Sequence, residues 1–193
     1  MFVSLEGLDG VGKTTQAGRL AARLRAEGHD VVECREPGGT ALGERLRALV
    51  LDDDVAIGAR AEALIFAAAR AQLVEEVIGP ARERGAWVVC DRFLDSSVAY
   101  QGGARELGLD VVRDLSVFAT GGVLPDRTVL LVGERRDTGA PDRIEREDGA
   151  FHERVDGGFA AIAEREPARV RTVDARGGVD DVAERVWEAV RGG

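Results

Sequence analysis

Short apolar runs and longer amphipathic stretches alternate along this chain. The short runs are largely apolar throughout and predict strands at 2–5, 31–34, 86–90, 127–132 and 169–173. The longer stretches carry apolar residues at helical spacing and predict helices at 14–26, 41–51, 59–84, 110–119, 151–165 and 179–190. Apolar strands of this kind are typical of parallel sheets covered on both faces. The pattern therefore predicts an α/β fold of three layers, with a five-stranded parallel sheet between helices.

One segment, at about 133–150, departs from the alternation of strands and helices. It is charged and rich in glycine and proline, which predicts a loop. We find no internal repeat, low-complexity tail or interdomain linker in the rest of the chain. Residues 1–193 are therefore predicted to form a single domain, which is an ordinary size for one hydrophobic core.

The charge balance argues against one broad class of function. The net charge is −9, whereas proteins that bind nucleic acids generally carry a basic surface. The first residues include no basic segment, and no apolar run is long enough to span a bilayer. The two cysteines, Cys34 and Cys90, are too few for a disulfide framework. Together these features predict a cytoplasmic protein that binds neither nucleic acid nor membrane.

The segment after the first strand carries the strongest chemical signal. Residues 7–14, with the sequence GLDGVGKT, match G-x-x-x-x-G-K-[ST] at every fixed position. Glycines let the backbone N–H groups turn towards an anion, and the following helix adds its positive N-terminal end. Lys13, the only lysine of the chain, would reach the β- and γ-phosphates of ATP. We predict that this P-loop binds ATP through Gly7, Leu8, Asp9, Gly10, Val11, Gly12, Lys13, Thr14 and Thr15.

A magnesium site is predicted where the P-loop meets the third strand. The Thr14 hydroxyl ends the P-loop motif, and this position binds Mg²⁺ in proteins that carry the motif. Asp91 follows the buried third strand, which is the place of the acid that positions Mg²⁺ directly or through water. Thr14 and Asp91 are therefore the predicted metal-binding residues.

Six segments of the chain form a further set of motifs: 6–16 (EGLDGVGKTTQ), 35–40 (REPGGT), 64–72 (LIFAAARAQ), 91–93 (DRF), 96–103 (SSVAYQGG) and 142–145 (DRIE). In order and separation, these segments resemble the motifs of the bacterial-type thymidylate kinases, a family of P-loop nucleoside monophosphate kinases. The resemblance extends from end to end, apart from the segment after the fourth strand. It implies the P-loop NTPase fold, with an arginine-bearing lid at about 133–150.

The resemblance also implies how the acceptor phosphate and sugar are held. Arg35 and Arg92 resemble the two arginines that bind the acceptor phosphate, which a guanidinium can grip through two hydrogen bonds. In the family, Arg92 also helps to hold the donor and acceptor phosphates close together. Asp9, inside the P-loop, resembles the acid that contacts the sugar 3′-hydroxyl.

The base is implied to contact residues of the predicted helix at 59–84 and of the segment 96–103, which follows the third predicted strand. Phe66 resembles the phenylalanine that stacks on thymine, and Arg70, four residues later, resembles the arginine that hydrogen-bonds a carbonyl of the base. Ser97 and Gln101 resemble the polar contacts to the base, and a glutamine side chain offers both a donor and an acceptor. Tyr100 resembles the aromatic residue that packs beneath the sugar and excludes a 2′-hydroxyl.

The predicted lid is where the chain differs from the family pattern. Gly10 occupies the P-loop position that is an arginine in some thymidylate kinases. The positive charge that this arginine would bring to the transferred phosphoryl group must therefore come from the lid. The predicted ATP contacts in the lid are Arg135, Arg136 and Arg143, and Arg146 is a further candidate. Arg143 matches the family best, through the DRIE segment. The aspartate and the helix that usually follow the fourth strand are absent, which predicts a shortened lid.

The resemblance implies direct in-line transfer of a phosphoryl group from ATP to dTMP in the presence of Mg²⁺, which yields dTDP for dTTP biosynthesis. The predicted catalytic residues are Lys13, Arg92, Arg143 and Asp9. Two alternatives remain at this point: a kinase for another monophosphate such as dUMP or dGMP, and a nucleotide-binding homologue impaired by its short lid. The family commonly forms homodimers through its long helices, and the apolar stretch 59–73 is compatible with a homodimer.

Overall fold

A computed structural model describes residues 1–135, 139 and 142–192 of the chain. Its sheet contains β1 (Phe2–Glu6), β2 (Val31–Arg35), β3 (Trp87–Asp91), β4 (Arg127–Val132) and β5 (Val170–Asp174). Within the described residues these five strands form one sheet in the order β2-β3-β1-β4-β5, and every pair of neighbours is parallel. The predicted five-stranded parallel sheet is therefore confirmed.

The helices of the described residues connect these strands. They are α1 (Lys13–Ala26), α2 (Ala41–Leu51), α3 (Ala59–Leu73), α4 (Gly79–Glu83), α5 (Leu94–Ser97), α6 (Leu109–Thr120), α7 (Gly149–Arg165) and α8 (Val179–Arg191). A π-helical segment, Val74–Ile78, joins α3 to α4, where a single helix is predicted at 59–84. Proline cannot donate a backbone hydrogen bond. Pro80 lies in the first turn of α4, and this position accounts for the change of helical pitch beside it.

Sequence patterns missed the helical structure between β3 and α6. There α5 continues directly into a second π-helical segment, Val98–Ala104. Its glycines allow close packing, because a Cβ on Gly102 would lie 3.1 Å from Leu109 Cα, at the start of α6. On α7, a Cβ on Gly158 would lie 2.9 Å from Ala99 Cα, which is closer than real contacts allow. In the sequence, glycines of this kind indicate a turn. In the structure, they allow neighbouring helical segments to pack closely.

Apolar side chains cover both faces of the sheet. On one face α1 and α8 pack on the strands, with Leu20, Leu24, Val186 and Trp187 in a cluster with Val3 and Leu5. On the opposite face, residues of α3, the second π-helical segment and α7 pack with Phe2, Val88 and Leu130. Successive residues of β1 thus contribute to opposite faces, as the strand geometry requires. The predicted three-layer architecture is confirmed.

The parallel strands end along one edge of the sheet, and the predicted phosphate-binding residues follow this edge. The P-loop leaves β1 at the centre of the sheet, and Leu5 pairs with Asp91 of the neighbouring β3. Arg35, the last residue of the outer strand β2, also pairs with Asp91. Ligands of open α/β sheets bind at this edge. Among the described residues, no helix is long and apolar enough to cross a membrane.

Candidate active site

Two glycines explain the path of the P-loop between β1 and α1. Gly7 has a φ of +133°, and a Cβ there would collide with the backbone oxygen of Leu131 on β4. Gly12 has a φ of +105° and directly precedes α1. Both conformations favour glycine over other residues. The loop therefore curls over the N-terminal end of α1, where free backbone N–H groups attract anions.

Lys13 folds back into this loop. Its Nζ donates a hydrogen bond to Leu8 O at 2.5 Å and lies 3.9 Å from an Asp9 carboxylate oxygen. The side chain is only 6% exposed. Burial and the nearby Arg92 guanidinium lower the pKa of Lys13 to about 7, although Asp9 and Asp91 partly oppose the shift. The sole lysine of the chain thus lies in the phosphate loop, where nearby carboxylates only partly offset the cost of burying its positive charge.

The two predicted metal-binding residues meet at the edge of the sheet. The Thr14 hydroxyl, on the first turn of α1, donates a hydrogen bond to the Asp91 carboxylate at the end of β3. A hydroxyl and a carboxylate supply the oxygen ligands that Mg²⁺ prefers, and this ion usually keeps several of its waters. The pair therefore fits Mg²⁺, as expected from the sequence, and their roles as metal ligands remain a prediction.

Arg92 links the P-loop to the segment after β3. Its guanidinium donates to Gly7 O at 3.1 Å and to Ser96 Oγ at 2.9 Å, and it forms an ion pair with Asp9. The Tyr100 hydroxyl donates to the same Asp9 carboxylate at 2.9 Å. Although burial favours the neutral form, Arg92 and Lys13 lower the pKa of Asp9 to about 2. Asp9, Arg92 and Tyr100 thus form one connected group beside the phosphate loop.

Glu6 is a positioning residue that sequence analysis missed. Arg92 has a φ of +69°, which is unfavourable for a residue other than glycine. The buried Glu6 carboxyl accepts hydrogen bonds from Phe93 N at 2.7 Å and from Ser96 Oγ at 2.6 Å, both in the segment that directly follows Arg92. Burial and the nearby Asp95 raise the pKa of Glu6 to about 8. The signals in the sequence were its place before the P-loop and its membership of the matching segment 6–16, and neither indicated this role.

One cavity brings most of the predicted acceptor-binding residues together. Its walls include Asp9, Phe66, Arg70, Arg92, Ser97, Tyr100 and Gln101. These residues come from the P-loop, α3 and the helical segment after β3, which are far apart in sequence. An aromatic ring, hydrogen-bonding side chains and an arginine beside the P-loop suit a ligand that has both a planar base and a phosphate. The cavity can therefore hold a nucleotide next to the phosphate loop.

Arg70 is fixed by neighbours that the sequence did not indicate. Its guanidinium forms a buried ion pair with Glu36, with Nη2 at 2.6 Å from Oε2. It also donates to Ser97 Oγ at 2.9 Å and to Ser116 Oγ at 3.1 Å. Ser97, predicted to contact the base, therefore holds Arg70 as well. Glu36 could have been suspected only as a carboxylate next to Arg35 in the REPGGT motif.

Arg35 lies outside the cavity in this conformation. Its guanidinium is nearly half exposed and binds both carboxylate oxygens of Glu44, at 2.9 and 3.0 Å. Arg47, one helical turn from Glu44 on α2, lines the cavity instead and donates to Pro37 O at 3.0 Å. Sequence analysis missed Arg47, because nothing in the pattern distinguishes it from Arg45 on the same helix. The role of Arg35 as a phosphate ligand stays a prediction.

The predicted lid arginines take different positions. Arg135 donates to Asp9 O at 3.3 Å and so reaches the P-loop. Arg143 instead donates to Val50 O at 2.9 Å and to the buried Glu62 carboxylate at 2.6 Å. Arg146 forms an exposed ion pair with Asp53. Arg136 lies outside the described residues, and the roles of all these arginines toward ATP remain predictions.

Comparison with known proteins identifies the family. The model of the family described as thymidylate kinase matches residues 5–186. A thymidylate kinase from Rhizorhabdus wittichii is 52% identical, over 98% of this chain and 96% of the relative, and one from Deinococcus radiodurans is 49% identical, with the same shares covered. The crystal structure of thymidylate kinase from Ehrlichia chaffeensis superposes with a TM-score of 0.86 at 31% identity, covering 99% of this chain and 98% of that one. The chain belongs to the thymidylate kinase family.

Proposed function

We propose that this protein phosphorylates dTMP to dTDP with ATP as the donor and Mg²⁺ as the cofactor, in dTTP biosynthesis. The observation that carries the proposal is the cavity that joins Asp9 and Arg92, beside the P-loop, to Phe66, Arg70 and Gln101. The family assignment supports the same reaction. We also propose that the reaction takes place in the cytoplasm.

On the donor side, the P-loop supplies binding and charge neutralisation. Its backbone N–H groups and the N-terminal end of α1 would hold the phosphates of ATP. Lys13 would offset the negative charge that develops on the transferred phosphoryl group. Bound Mg²⁺ would neutralise phosphate charge, held by Thr14 and Asp91. Arg135, which reaches the P-loop at Asp9 O, is the arginine that we propose for the lid side of the donor.

On the acceptor side, positioning is the main contribution. Arg92 lines the cavity next to the P-loop, where it would hold the phosphate of dTMP in line with the γ-phosphate of ATP. Asp9 and Tyr100, which both bind Arg92, would orient the sugar. The acceptor is already an anion, so the transfer requires no strong base and no covalent intermediate with the protein. The residues therefore act by orientation and charge rather than by proton transfer.

A panel of acceptors tests this function. Purified protein would be incubated with ATP, Mg²⁺ and one of dTMP, dUMP or dGMP, and ADP release would be followed by a coupled assay. We expect rapid turnover with dTMP, slower turnover with dUMP and none with dGMP, because the cavity carries the set of side chains that the family resemblance assigns to thymine: Phe66, Arg70, Tyr100 and Gln101. Release of ADP with dGMP but not with dTMP would assign the protein to another monophosphate, and no release with any acceptor would reject the proposed activity.

ATP binding should be accompanied by proton uptake at Lys13. The pKa of Lys13 is lowered to about 7 in the free protein, so at pH 8 most molecules carry a neutral amine there. The phosphates of ATP favour the charged form and raise this pKa, so binding at pH 8 should take up part of a proton. Calorimetric titration in two buffers of different ionisation enthalpy measures this uptake. Equal binding heats in both buffers would contradict a lowered pKa of Lys13 in the free protein.

The homodimer is proposed from an exposed apolar surface on two packed helices. Leu64 on α3 and Val111 and Phe118 on α6 are 57%, 65% and 85% exposed, and α3 packs against α6. Val111 and Phe118 are seven residues apart and so lie on one face of α6. Large apolar side chains that are exposed on neighbouring helices are typical of a protein interface. We propose that a second copy of the chain covers this surface.

Substitution at Phe118 tests the proposed dimer. We expect the Phe118→Asp variant to be a monomer by light scattering, because a carboxylate at the centre of the interface loses its water without gaining a partner. Arg113→Ala, which changes an arginine on the same helix, is the control and should leave the association unchanged. A wild-type protein that is monomeric at micromolar concentration would refute the proposal.

A further inference from the structure

The side-chain amide nitrogen of Gln101 is hydrogen-bonded within the protein. This residue lies in the second π-helical segment, is 2% exposed and lines the cavity. Its Nε2 donates a hydrogen bond to Glu62 Oε1 at 2.9 Å. Glu62 belongs to α3, one helical turn before Phe66, and is completely buried. The polar group that faces the cavity therefore depends on the contact that Gln101 makes with Glu62.

Glu62 can only accept hydrogen bonds in this environment. Arg143 donates to one of its oxygens at 2.6 Å, and Arg105 donates to both at 3.2 Å. Burial alone would raise the pKa of Glu62, but the hydrogen bonds from Gln101, Arg105 and Arg143 outweigh it and lower the pKa. An ionised carboxylate has no hydrogen to donate. The Gln101 amide is thus held with its nitrogen towards Glu62, which turns its oxygen away.

We propose that Glu62 is a positioning residue that sets the base specificity of the cavity by holding the Gln101 amide oxygen as a hydrogen-bond acceptor. This inference rests on the proposed function, because it concerns the base of the acceptor nucleotide. An acceptor at this place matches a pyrimidine whose N3 carries a hydrogen, as in thymine and uracil. It opposes cytosine, whose N3 is itself an acceptor. Two acceptors that face each other without a hydrogen leave both groups unsatisfied.

Arg70, which lines the same cavity, complements this acceptor. A guanidinium only donates hydrogen bonds, so it suits a carbonyl oxygen and opposes the amino group of cytosine. One donor and one acceptor, each held by a buried carboxylate, give the pattern of the thymine edge. Glu36 holds Arg70 at 2.6 Å, and Glu62 holds Gln101 at 2.9 Å. The two carboxylates therefore have parallel roles, each setting the orientation of one side chain that faces the base.

The Glu62→Gln variant tests this inference by its effect on selectivity. A neutral amide at position 62 can donate as well as accept, so the Gln101 amide is free to turn its nitrogen towards the cavity. We expect the ratio of Kd for dCMP to Kd for dTMP to fall roughly tenfold, the value of about one hydrogen bond. Calorimetric titration at pH 8, where the cytosine ring carries no proton, measures both constants. The KM for ATP should remain unchanged.

An exchange of the two side chains separates positioning from a merely structural role. In the double variant Glu62→Gln/Gln101→Glu, the amide of residue 62 donates to the carboxylate at residue 101, whose other oxygen is again an acceptor. We expect this variant to regain the preference for dTMP over dCMP that Glu62→Gln loses. If the double variant discriminated between dTMP and dCMP no better than Glu62→Gln does, the inference would be overturned.

Arg105→Gln is the matched control for the loss of the other hydrogen bonds that Glu62 accepts. It removes a hydrogen-bonding partner of Glu62 but leaves the carboxylate and Gln101 in place. We expect a lower melting temperature with an unchanged ratio of the two Kd values. A wild-type protein that does not phosphorylate dTMP would reject the proposed function. Turnover of dTMP by the wild type, together with an unchanged ratio in a folded Glu62→Gln variant, would reject only the role of Glu62.

Discussion

Replacement of Lys13 by alanine should reduce kcat by about a thousandfold or more while the protein remains folded. The ammonium group is the positive charge that the P-loop itself contributes, and it lies within a loop shaped by Gly7 and Gly12. Its loss removes an interaction that strengthens as charge develops on the transferred phosphoryl group. Steady-state kinetics with dTMP and ATP measures the change.

The stability of the Lys13→Ala variant should not fall at neutral pH. The pKa of Lys13 is about 7 in the folded protein and close to 10.5 in the unfolded chain. A depressed pKa of this kind means that folding releases a proton, so stability due to Lys13 decreases as the pH falls from 10.5 to 7. Replacement by alanine removes this free-energy cost of deprotonating Lys13 on folding. We expect the variant to have a melting temperature at or above that of the wild type, as measured by thermal unfolding at pH 7.

Arg19→Ala is the control for Lys13→Ala. Arg19 lies on the same helix, where it forms an exposed ion pair with Asp180 at 2.5 Å. Exposed pairs of this kind contribute little to stability, typically less than about 1 kcal/mol. We expect kcat and the melting temperature of this variant to stay close to the wild-type values. A Lys13→Ala variant that retains activity within tenfold of the wild type would contradict the assignment of the phosphate loop.

Replacement of Arg70 by alanine should affect both stability and substrate binding. Arg70 is 1% exposed, and its partner Glu36 is 6% exposed. Loss of one member of a buried ion pair leaves an uncompensated charge and typically costs about 3–5 kcal/mol. Ser97 and Ser116 lose a hydrogen bond as well. Urea unfolding at pH 7 should therefore show a large decrease in the free energy of unfolding.

The same variant should bind dTMP much more weakly and ATP nearly as well as the wild type. Arg70 lines the cavity proposed for the acceptor, whereas ATP is proposed to bind at the P-loop. The double variant Arg70→Ala/Glu36→Gln separates the two effects. Its neutral residue 36 removes most of the charge penalty, so stability should recover in part while the affinity for dTMP stays low.

Arg60→Ala, on the exposed side of α3, controls for general changes in that helix. Calorimetric titration with dTMP and with ATP measures the two affinities for each variant. Equal losses for both nucleotides in the double variant would argue against base recognition by Arg70. Wild-type affinity for dTMP in the double variant would exclude a contact between Arg70 and the base.

The alternation of apolar strands and amphipathic helices was sufficient to predict the architecture. Strand β3 and the helices α1 and α8 could be recognised because their apolar residues follow one period over a whole element. The helical segment from α5 to residue 104 could not, since it contains Gly102 and Gly103 and is stabilised by packing against α6 and α7. Local propensity does not report contacts with distant elements.

The site was predicted where residue type alone limits the chemistry. The P-loop and Thr14 follow from a motif whose spacing reflects its geometry, and Asp91 follows from its place after a buried strand. Residues that only hold neighbouring groups in position, such as Glu6, Glu36 and Glu62, carry no comparable signal. A carboxylate within a helix or at the end of a strand is usually on the surface, and these three are buried by the tertiary structure. Their partners became evident only from the fold.

A crystal structure with dTMP, Mg²⁺ and a non-hydrolysable ATP analogue would show whether the phosphate loop and the cavity hold the two nucleotides side by side. We predict that the phosphates of the analogue contact Lys13 and the loop at 7–14. The thymine should lie between Phe66 and the polar pair Arg70 and Gln101, with its phosphate near Arg92. A structure in which dTMP occupies another surface, or in which the loop amides face away from the phosphates, would contradict the account.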